Sequence, residues 1–130
     1  MDKAEIIGNL KANNYSFEDK GDQVVVQLAR KYFLKLYFDD TVVKSEDVVE
    51  RFSWLTNGKS LKAVTKINVI GYLIFILLIA LWSILDPNFF STGGKYFLAI
   101  FIPFLLFQLV EFWDYNKRLS KIKTLLHLND

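Results

Sequence analysis

The residues best suited to chemistry lie near the end of a long apolar stretch, and they are Gln108, Glu111 and Tyr115. Their spacing of three and four residues predicts that a helix presents all three on one face. A carboxylate in an apolar segment is costly unless it contacts protein or water, so Glu111 is a candidate functional residue that meets another helix. The alternative is an interfacial Glu111 that reaches water, because Lys117-Arg118 follows about two turns later.

A fourth polar residue, Asn68, lies at the start of an earlier apolar stretch. If the two stretches form an antiparallel hairpin, the start of the first lies beside the end of the second. We therefore predict that Glu111, together with Gln108, meets another helix, and that the hydrogen-bond partner of Glu111 is Gln108, Tyr115 or Asn68 of the neighbouring helix.

Most catalytic chemistry is absent from the sequence. The chain of 130 residues has no cysteine and a single histidine, His127, which we expect to be a solvated tail residue. It also has no glycine-rich phosphate loop, no GxSxG elbow and no carboxylate cluster. We therefore predict a non-enzymatic protein with no metal site and no cofactor, and a net charge of +2 is too small to predict nucleic-acid binding.

Two segments with strand composition, QVVVQLA and YFLKLYF, are joined by the basic pair Arg30-Lys31. This arrangement predicts a hairpin with a tight turn. The pair is either a solvated hairpin tip or a site for an anionic ligand such as a phosphate or a lipid headgroup.

Residues 1–58 as a whole predict a small α+β domain with a short antiparallel sheet and flanking helices. DKAEIIGNLKANN predicts the first helix, and YSFE is a candidate third strand. From Ser45, SEDVVERFSWLT predicts a second helix, because its apolar residues fall at helical spacing and Asn57-Gly58 would end it: Val48, Val49, Phe52 and Leu55. So small a unit needs support from the membrane, the C-terminal tail or another subunit.

Residues 59–113 predict a two-helix transmembrane hairpin. The run from Ile67 to Leu85 has no charge, and as a helix it would span roughly 28 Å, close to the apolar thickness of a bilayer. A second apolar run covers residues 96–113, and turn-forming residues predict an outer loop over 86–95. Pro103 should kink the second helix near its middle.

Residues 114–130 predict an amphipathic helical tail that continues the second helix. Its apolar residues form a stripe that could support self-association or dock on the N-terminal domain: Leu119, Ile122, Leu125 and Leu126. Lysine and arginine flank both apolar runs on the side of the termini, whereas the connecting loop has only Lys95. The positive-inside rule therefore predicts a multi-pass protein of the cell (inner) membrane with both termini in the cytoplasm.

A small strand-containing cytoplasmic domain joined to a membrane hairpin resembles the small two-transmembrane effectors of bacterial anti-phage signalling systems. The resemblance implies a cytoplasmic domain that senses a nucleotide signal or a protein partner, and membrane helices that assemble and impair the membrane. No functional residue is transferred from those proteins.

Two functions remain open from the sequence. One is an oligomeric membrane effector or small gated channel controlled by the cytoplasmic domain. The other is a membrane-anchored interaction module, such as an immunity or assembly protein, without transport activity. The predicted partners are the lipid bilayer, further copies of the chain, and a cytoplasmic protein or nucleotide signal.

Overall fold

The computed structural model describes residues 1–40, 42–50, 55 and 57–128. Within them the fold is α+β, as the sequence predicted, with a four-stranded antiparallel sheet and two long apolar helices. The elements in chain order are helix α1 (Lys3–Ala12), strands β1 (Ser16–Asp19), β2 (Gln23–Ala29), β3 (Tyr32–Phe38) and β4 (Val43–Val49), helix α2 (Leu61–Leu85), the short helix α3 (Pro87–Phe89) and helix α4 (Lys95–Leu125).

Helix α1 begins where Asp2 caps it, because the Asp2 carboxylate accepts a hydrogen bond of 2.8 Å from the Glu5 N–H. The helix ends before Asn14, which adopts a left-handed backbone with φ of 57°. Ile6 and Leu10 lie one turn apart and are both buried against the sheet. The predicted first helix is therefore confirmed.

The sheet is a meander in the order β1-β2-β3-β4, with every neighbouring pair antiparallel. The two predicted central strands and the predicted third strand in YSFE are present. Cross-strand pairs such as Val24 with Leu36 and Val26 with Leu34 place the alternating apolar residues on one face, where they are fully buried.

The helix predicted from Ser45 is wrong where the structure describes this segment. Val43–Val49 forms strand β4, which pairs with β3 along its whole length, from Phe38 opposite Val43 to Tyr32 opposite Val49. Phe52 lies outside the described residues, and Leu55 lies in a turn. The β-branched valines suit a strand, and opposite charges face each other at the Lys35 and Glu46 pair.

Helices α2 and α4 form an antiparallel hairpin and are long and apolar enough to cross a membrane by length and composition. The most apolar 18-residue window of α2 is only 6% buried, and the corresponding window of the second helix is 0% buried. Helix α4 continues without a break to Leu125, as the sequence predicted. The apolar surface of the hairpin therefore faces outward rather than into the core of the protein.

The connection between the two long helices is helical where the sequence predicted a loop over 86–95. The chain leaves helical geometry at Asp86, whose carboxylate accepts a hydrogen bond of 3.1 Å from the Asn88 N–H, and helix α3 starts at Pro87. A π-helical turn over Phe90–Gly94 then leads into α4. Gly94 permits this geometry, because a Cβ there would lie 2.9 Å from the Phe89 ring.

A shared hydrophobic core joins the sheet to both long helices. It contains the inner face of the sheet and α1, together with Leu61 and Val64 of α2 and Ile122 and Leu126 of α4. The predicted N-terminal domain and C-terminal tail therefore share one core. This packing supplies the support that so small a sheet needs.

Candidate functional site

The junction between the sheet and α2 is built around the carboxylate of Asp47. One oxygen of Asp47, Oδ2, accepts a hydrogen bond of 3.2 Å from the Tyr32 hydroxyl and another of 2.8 Å from the Leu61 N–H. Since the first N–H groups of a helix have no partner within the helix, Asp47 satisfies one of them from a neighbouring strand. The Ser60 hydroxyl accepts from the Ala63 N–H at 3.3 Å and completes the cap.

The Tyr32 hydroxyl is held in its neutral, donating form. Burial raises the pKa of Tyr32, and the negative charge and hydrogen bond of Asp47 raise it further. A phenol without a formal charge can lie inside the core and still donate to the carboxylate. The pair therefore fixes β3 and β4 to the start of α2.

Helix α4 is fixed to the same place from the other side. The ring of Tyr115 stacks on the ring of Tyr32, with centroids 5.0 Å apart and planes 5° from parallel. One turn later, Arg118 Nη1 donates a hydrogen bond of 3.3 Å to the Leu28 carbonyl, while its Nε donates to Asp114 at 3.1 Å. The hydrogen bond to Leu28 and the ring stack orient α4 on the sheet.

Two polar residues at the start of the hairpin, Asn68 and Gln108, meet between the antiparallel helices. Asn68 Nδ2 donates a hydrogen bond of 3.0 Å to Gln108 Oε1 across the two helices. Glu111 lies one turn after Gln108 and is half-buried. The ring of Tyr115 contacts Tyr32 of the sheet, and the polar contact predicted for Tyr115 stays a prediction. The role predicted for Glu111 stays a prediction.

Pro103 lies within α4 and is exposed. Two residues before Pro103, the contact between α4 and α2 is aromatic, because Phe101 stacks on Phe75 with ring centroids 5.2 Å apart. The kink predicted at Pro103 stays a prediction.

The apolar stripe of the tail contacts the sheet of its own chain. Ile122 and Leu126 are fully buried in the shared core, and Leu119 packs against its edge. Leu125 is only partly covered. Of the two roles predicted for the stripe, docking on the N-terminal domain is the one that the structure shows, and in this packing Ile122 and Leu126 present no free surface to another copy.

A polar cleft of about 430 Å³ lies between the start of α2 and the end of α4. Its lining includes the charged residues Asp47, Lys62 and Lys123, together with uncharged polar residues of α4: Asn116, Ser120 and Thr124. Asp47 Oδ2 accepts two hydrogen bonds and the Thr124 hydroxyl donates to the Ser120 carbonyl, so the cleft contains both hydrogen-bond donors and acceptors.

The two basic residues Arg30 and Lys31 form the tight turn between β2 and β3, where Ala29 pairs with Tyr32. Arg30 is exposed, and the Lys31 carbonyl accepts a hydrogen bond of 2.9 Å from the Glu50 N–H. The predicted hairpin tip is therefore present.

No group of three or more histidine, cysteine, aspartate or glutamate residues that could hold a metal ion occurs in the described part of the chain. His127 is exposed just after the end of α4. The described arrangement is one of packing and hydrogen bonding, with no nucleophile and base brought together.

Asp47, Tyr32 and Arg118 are the junction residues that sequence reasoning missed. Asp47 and Tyr32 belong to strands that pair with each other, and Arg118 is distant in sequence from its acceptor, Leu28. No local motif marks such contacts. The one available signal was a charged residue at an inward position of a strand, and it required the correct pairing of β3 with β4.

Comparison with known proteins found no matching family model, no matching curated protein and no matching solved structure.

Proposed function

We propose that this chain is a two-pass membrane protein that anchors a small interaction domain rigidly at the cytoplasmic surface of the bilayer. The observation that carries the proposal is the shared core, because residues of the sheet, α2 and α4 pack together directly beside the outward-facing apolar hairpin. A domain built in this way cannot move independently of its anchor.

Insertion in a membrane explains the surface of the hairpin. Large apolar side chains there are exposed over half or more of their area, and in water so extensive an apolar surface would drive aggregation: Phe75, Leu77, Trp82, Ile84, Leu85, Phe104, Phe107 and Trp113. Trp113 is 79% exposed at the end of the apolar part of α4, where aromatic rings are favoured at a membrane surface. In a bilayer the same side chains contact lipid.

The polar groups of the hairpin favour an anchor over a channel. Asn68 and Gln108 hydrogen-bond to each other, and the Ser83 hydroxyl donates to the Ile79 carbonyl within its own helix at 2.8 Å. A conducting pore needs a polar lining along its length. The effector or channel predicted from the sequence would therefore need polar surface that these contacts do not provide.

The outer face of the sheet is partly covered, since Val48 opposite Phe33 is buried, and we assign the rest of this face to contact with a cytoplasmic protein. By the strand register, Val25, Phe33 and Tyr37 lie on the face opposite the buried Val24, Leu34 and Leu36. Lys35 and Glu46 pair on the same outer face, so it combines apolar and charged groups. Mixed surfaces of this kind are typical of reversible protein interfaces.

Topology can be tested cleanly because the sequence has no cysteine. Single cysteines would be introduced at Ser91 and Lys20 and treated in intact cells with a maleimide that does not cross membranes. Labelling of Ser91→Cys but not of Lys20→Cys is expected. Labelling of both before lysis would contradict the proposed orientation, and extraction of the protein by alkaline carbonate would contradict membrane insertion.

A flux assay separates the two functions. Purified protein in liposomes is expected to leave an imposed potassium gradient as stable as in protein-free liposomes. Dissipation of the gradient by the parent protein, and not by a heat-inactivated sample, would favour the effector or channel instead.

A further inference from the structure

Two contacts fix the position of the sheet along the axis of α4. The Leu28 carbonyl on β2 meets Arg118, and Tyr32 at the start of β3 stacks on Tyr115. The contact nearer to the β2–β3 turn, that of Tyr32, is therefore made by the α4 residue nearer to the apolar part of that helix, Tyr115. The β2–β3 turn, residues 30–31, therefore lies at the end of the sheet that faces the apolar hairpin.

Other basic residues lie around the same end of the sheet. Lys59 forms a β-bridge with Val49, and Val49 pairs with Tyr32 next to the turn. Lys62 is in the first turn of α2, one residue after Leu61, whose N–H binds Asp47. Four cationic side chains from three segments thus lie around this end, and we name them the basic collar: Arg30, Lys31, Lys59 and Lys62.

Among the described residues, the acidic groups near the basic collar are fewer, and one of them, Asp47, lines a cleft with Lys62 and accepts hydrogen bonds from Tyr32 and the Leu61 N–H. Glu50 is exposed beside Lys31, and Asp114 is paired with Arg118 at 3.1 Å. Arg30, Lys59 and Lys62 are all exposed. The net charge of this end of the sheet is therefore positive.

We propose that the basic collar binds the phosphate groups of anionic lipids in the cytoplasmic leaflet. This inference depends on the proposed membrane insertion, since only then does the turn lie level with the headgroups. The Arg30 guanidinium can donate two parallel hydrogen bonds to one phosphate, while each lysine contributes a point charge. Lipid binding would hold the membrane-facing end of the sheet against the surface, in addition to the core contacts with the helices.

Spin-labelled lipids provide the test. The protein would be reconstituted in phosphatidylcholine, and electron paramagnetic resonance would measure the fraction of spin-labelled phosphatidylglycerol or phosphatidylcholine whose motion is restricted by the protein. The variant is Arg30→Gln with Lys59→Gln. The matched control is Lys20→Gln with Lys44→Gln, which removes the same charge at the opposite end of the sheet.

The parent and the control are expected to favour phosphatidylglycerol by at least about twofold, and the Arg30/Lys59 variant to lose most of that preference. Equal restriction of both lipids by the parent protein, or an equal loss in the variant and the control, would overturn the lipid site alone. Restriction of neither lipid would show that the hairpin is not in the bilayer, which overturns the proposed function. Loss of the preference in inorganic phosphate, but not in sodium chloride of the same ionic strength, would assign the collar to free phosphate and overturn the lipid assignment.

Discussion

The rings of Tyr32 and Tyr115 lie 5.0 Å apart and almost parallel, and they connect the sheet to the longest helix of the protein. Tyr32 is also hydrogen-bonded to Asp47, whose carboxylate caps α2. A single buried tyrosine thus contacts a residue of α4 and a residue that binds α2. Displacement of either helix would disturb the same side chain.

Replacement of Tyr115 by leucine should loosen the sheet from α4. The change removes the stacked pair, and such pairs contribute about 1 kcal/mol beyond the area that they bury. The sheet should become more sensitive to protease in mild detergent. Tyr96→Leu, at the other end of α4 and 61% exposed, is the control and should leave protease sensitivity unchanged. Equal sensitivity of Tyr115→Leu and the parent would show that the stack does not stabilise the junction.

Stability should fall at high pH because of Tyr32. Its pKa is raised in the folded protein, chiefly by burial and further by Asp47, while a tyrosine in the unfolded chain titrates near about 10. Above that pH the unfolded chain loses the proton and the folded chain keeps it. The unfolded state then binds fewer protons, so the free energy of unfolding decreases as pH rises.

The measurement is a denaturant titration in mild detergent at pH values on both sides of about 10. Tyr32→Phe removes the ionisable group and should make the decrease in stability distinctly shallower than in the parent. An identical decrease in both proteins would assign the pH dependence to other groups.

Asp47→Ala should destabilise the junction more than Asp47→Asn. Alanine leaves both the Tyr32 hydroxyl and the Leu61 N–H without their acceptor, at a cost of about 1–3 kcal/mol for a buried donor, whereas asparagine retains one acceptor oxygen. Asp40→Ala, at an exposed position before β4, is the matched control. Thermal unfolding followed by circular dichroism should rank the parent and Asp40→Ala above Asp47→Asn, with Asp47→Ala lowest. A reversed order of the two Asp47 variants would contradict the capping role.

The parts of the fold predicted correctly from sequence are those with a strong local pattern. The strands β2 and β3 alternate apolar and other residues, and a two-residue basic turn separates them. The long helices follow from their long apolar runs, and the absence of glycine and proline after Pro103 predicted the continuation of α4.

Strand β4 was missed because its local pattern is ambiguous. Val48 and Val49 fit a helical stripe with Phe52 and Leu55, and Ser45 resembles a helix cap. Pairing with β3 decides that this segment is a strand rather than a helix, and this pairing is not visible in the local sequence. The same pairing brings Asp47 to the start of α2. The sequence predicted Asn68 beside this end of the second helix, because an antiparallel hairpin limits which residues can meet, but it named Glu111 as the partner and the structure shows Gln108.

The Asn68–Gln108 hydrogen bond should contribute modestly to hairpin stability. A double-mutant cycle with Asn68→Leu and Gln108→Leu should give a coupling of about 0.6 kcal/mol, the average for polar contacts between membrane helices. Unfolding in mixed micelles, measured for the parent, the single variants and the double variant, provides the four values. A coupling near zero would mean that water or another group replaces the missing partner.

The tail residues Ile122 and Leu125 should differ sharply in their contribution to stability, although they belong to one predicted stripe. Ile122 is fully buried in the core shared by the sheet and the helices, so Ile122→Ala removes buried volume and should cost about 2–5 kcal/mol. Leu125 is only partly covered, and Leu125→Ala should cost under about 1 kcal/mol because less apolar area is lost from burial.

Denaturant titration in mild detergent gives the free energies of unfolding, and size-exclusion chromatography with light scattering gives the oligomeric state. If Ile122 acts within its own chain, Ile122→Ala lowers stability by the same amount at every protein concentration. A loss of stability that disappears at high protein concentration, or a shift to smaller assemblies in folded Ile122→Ala, would place the stripe between copies of the chain instead.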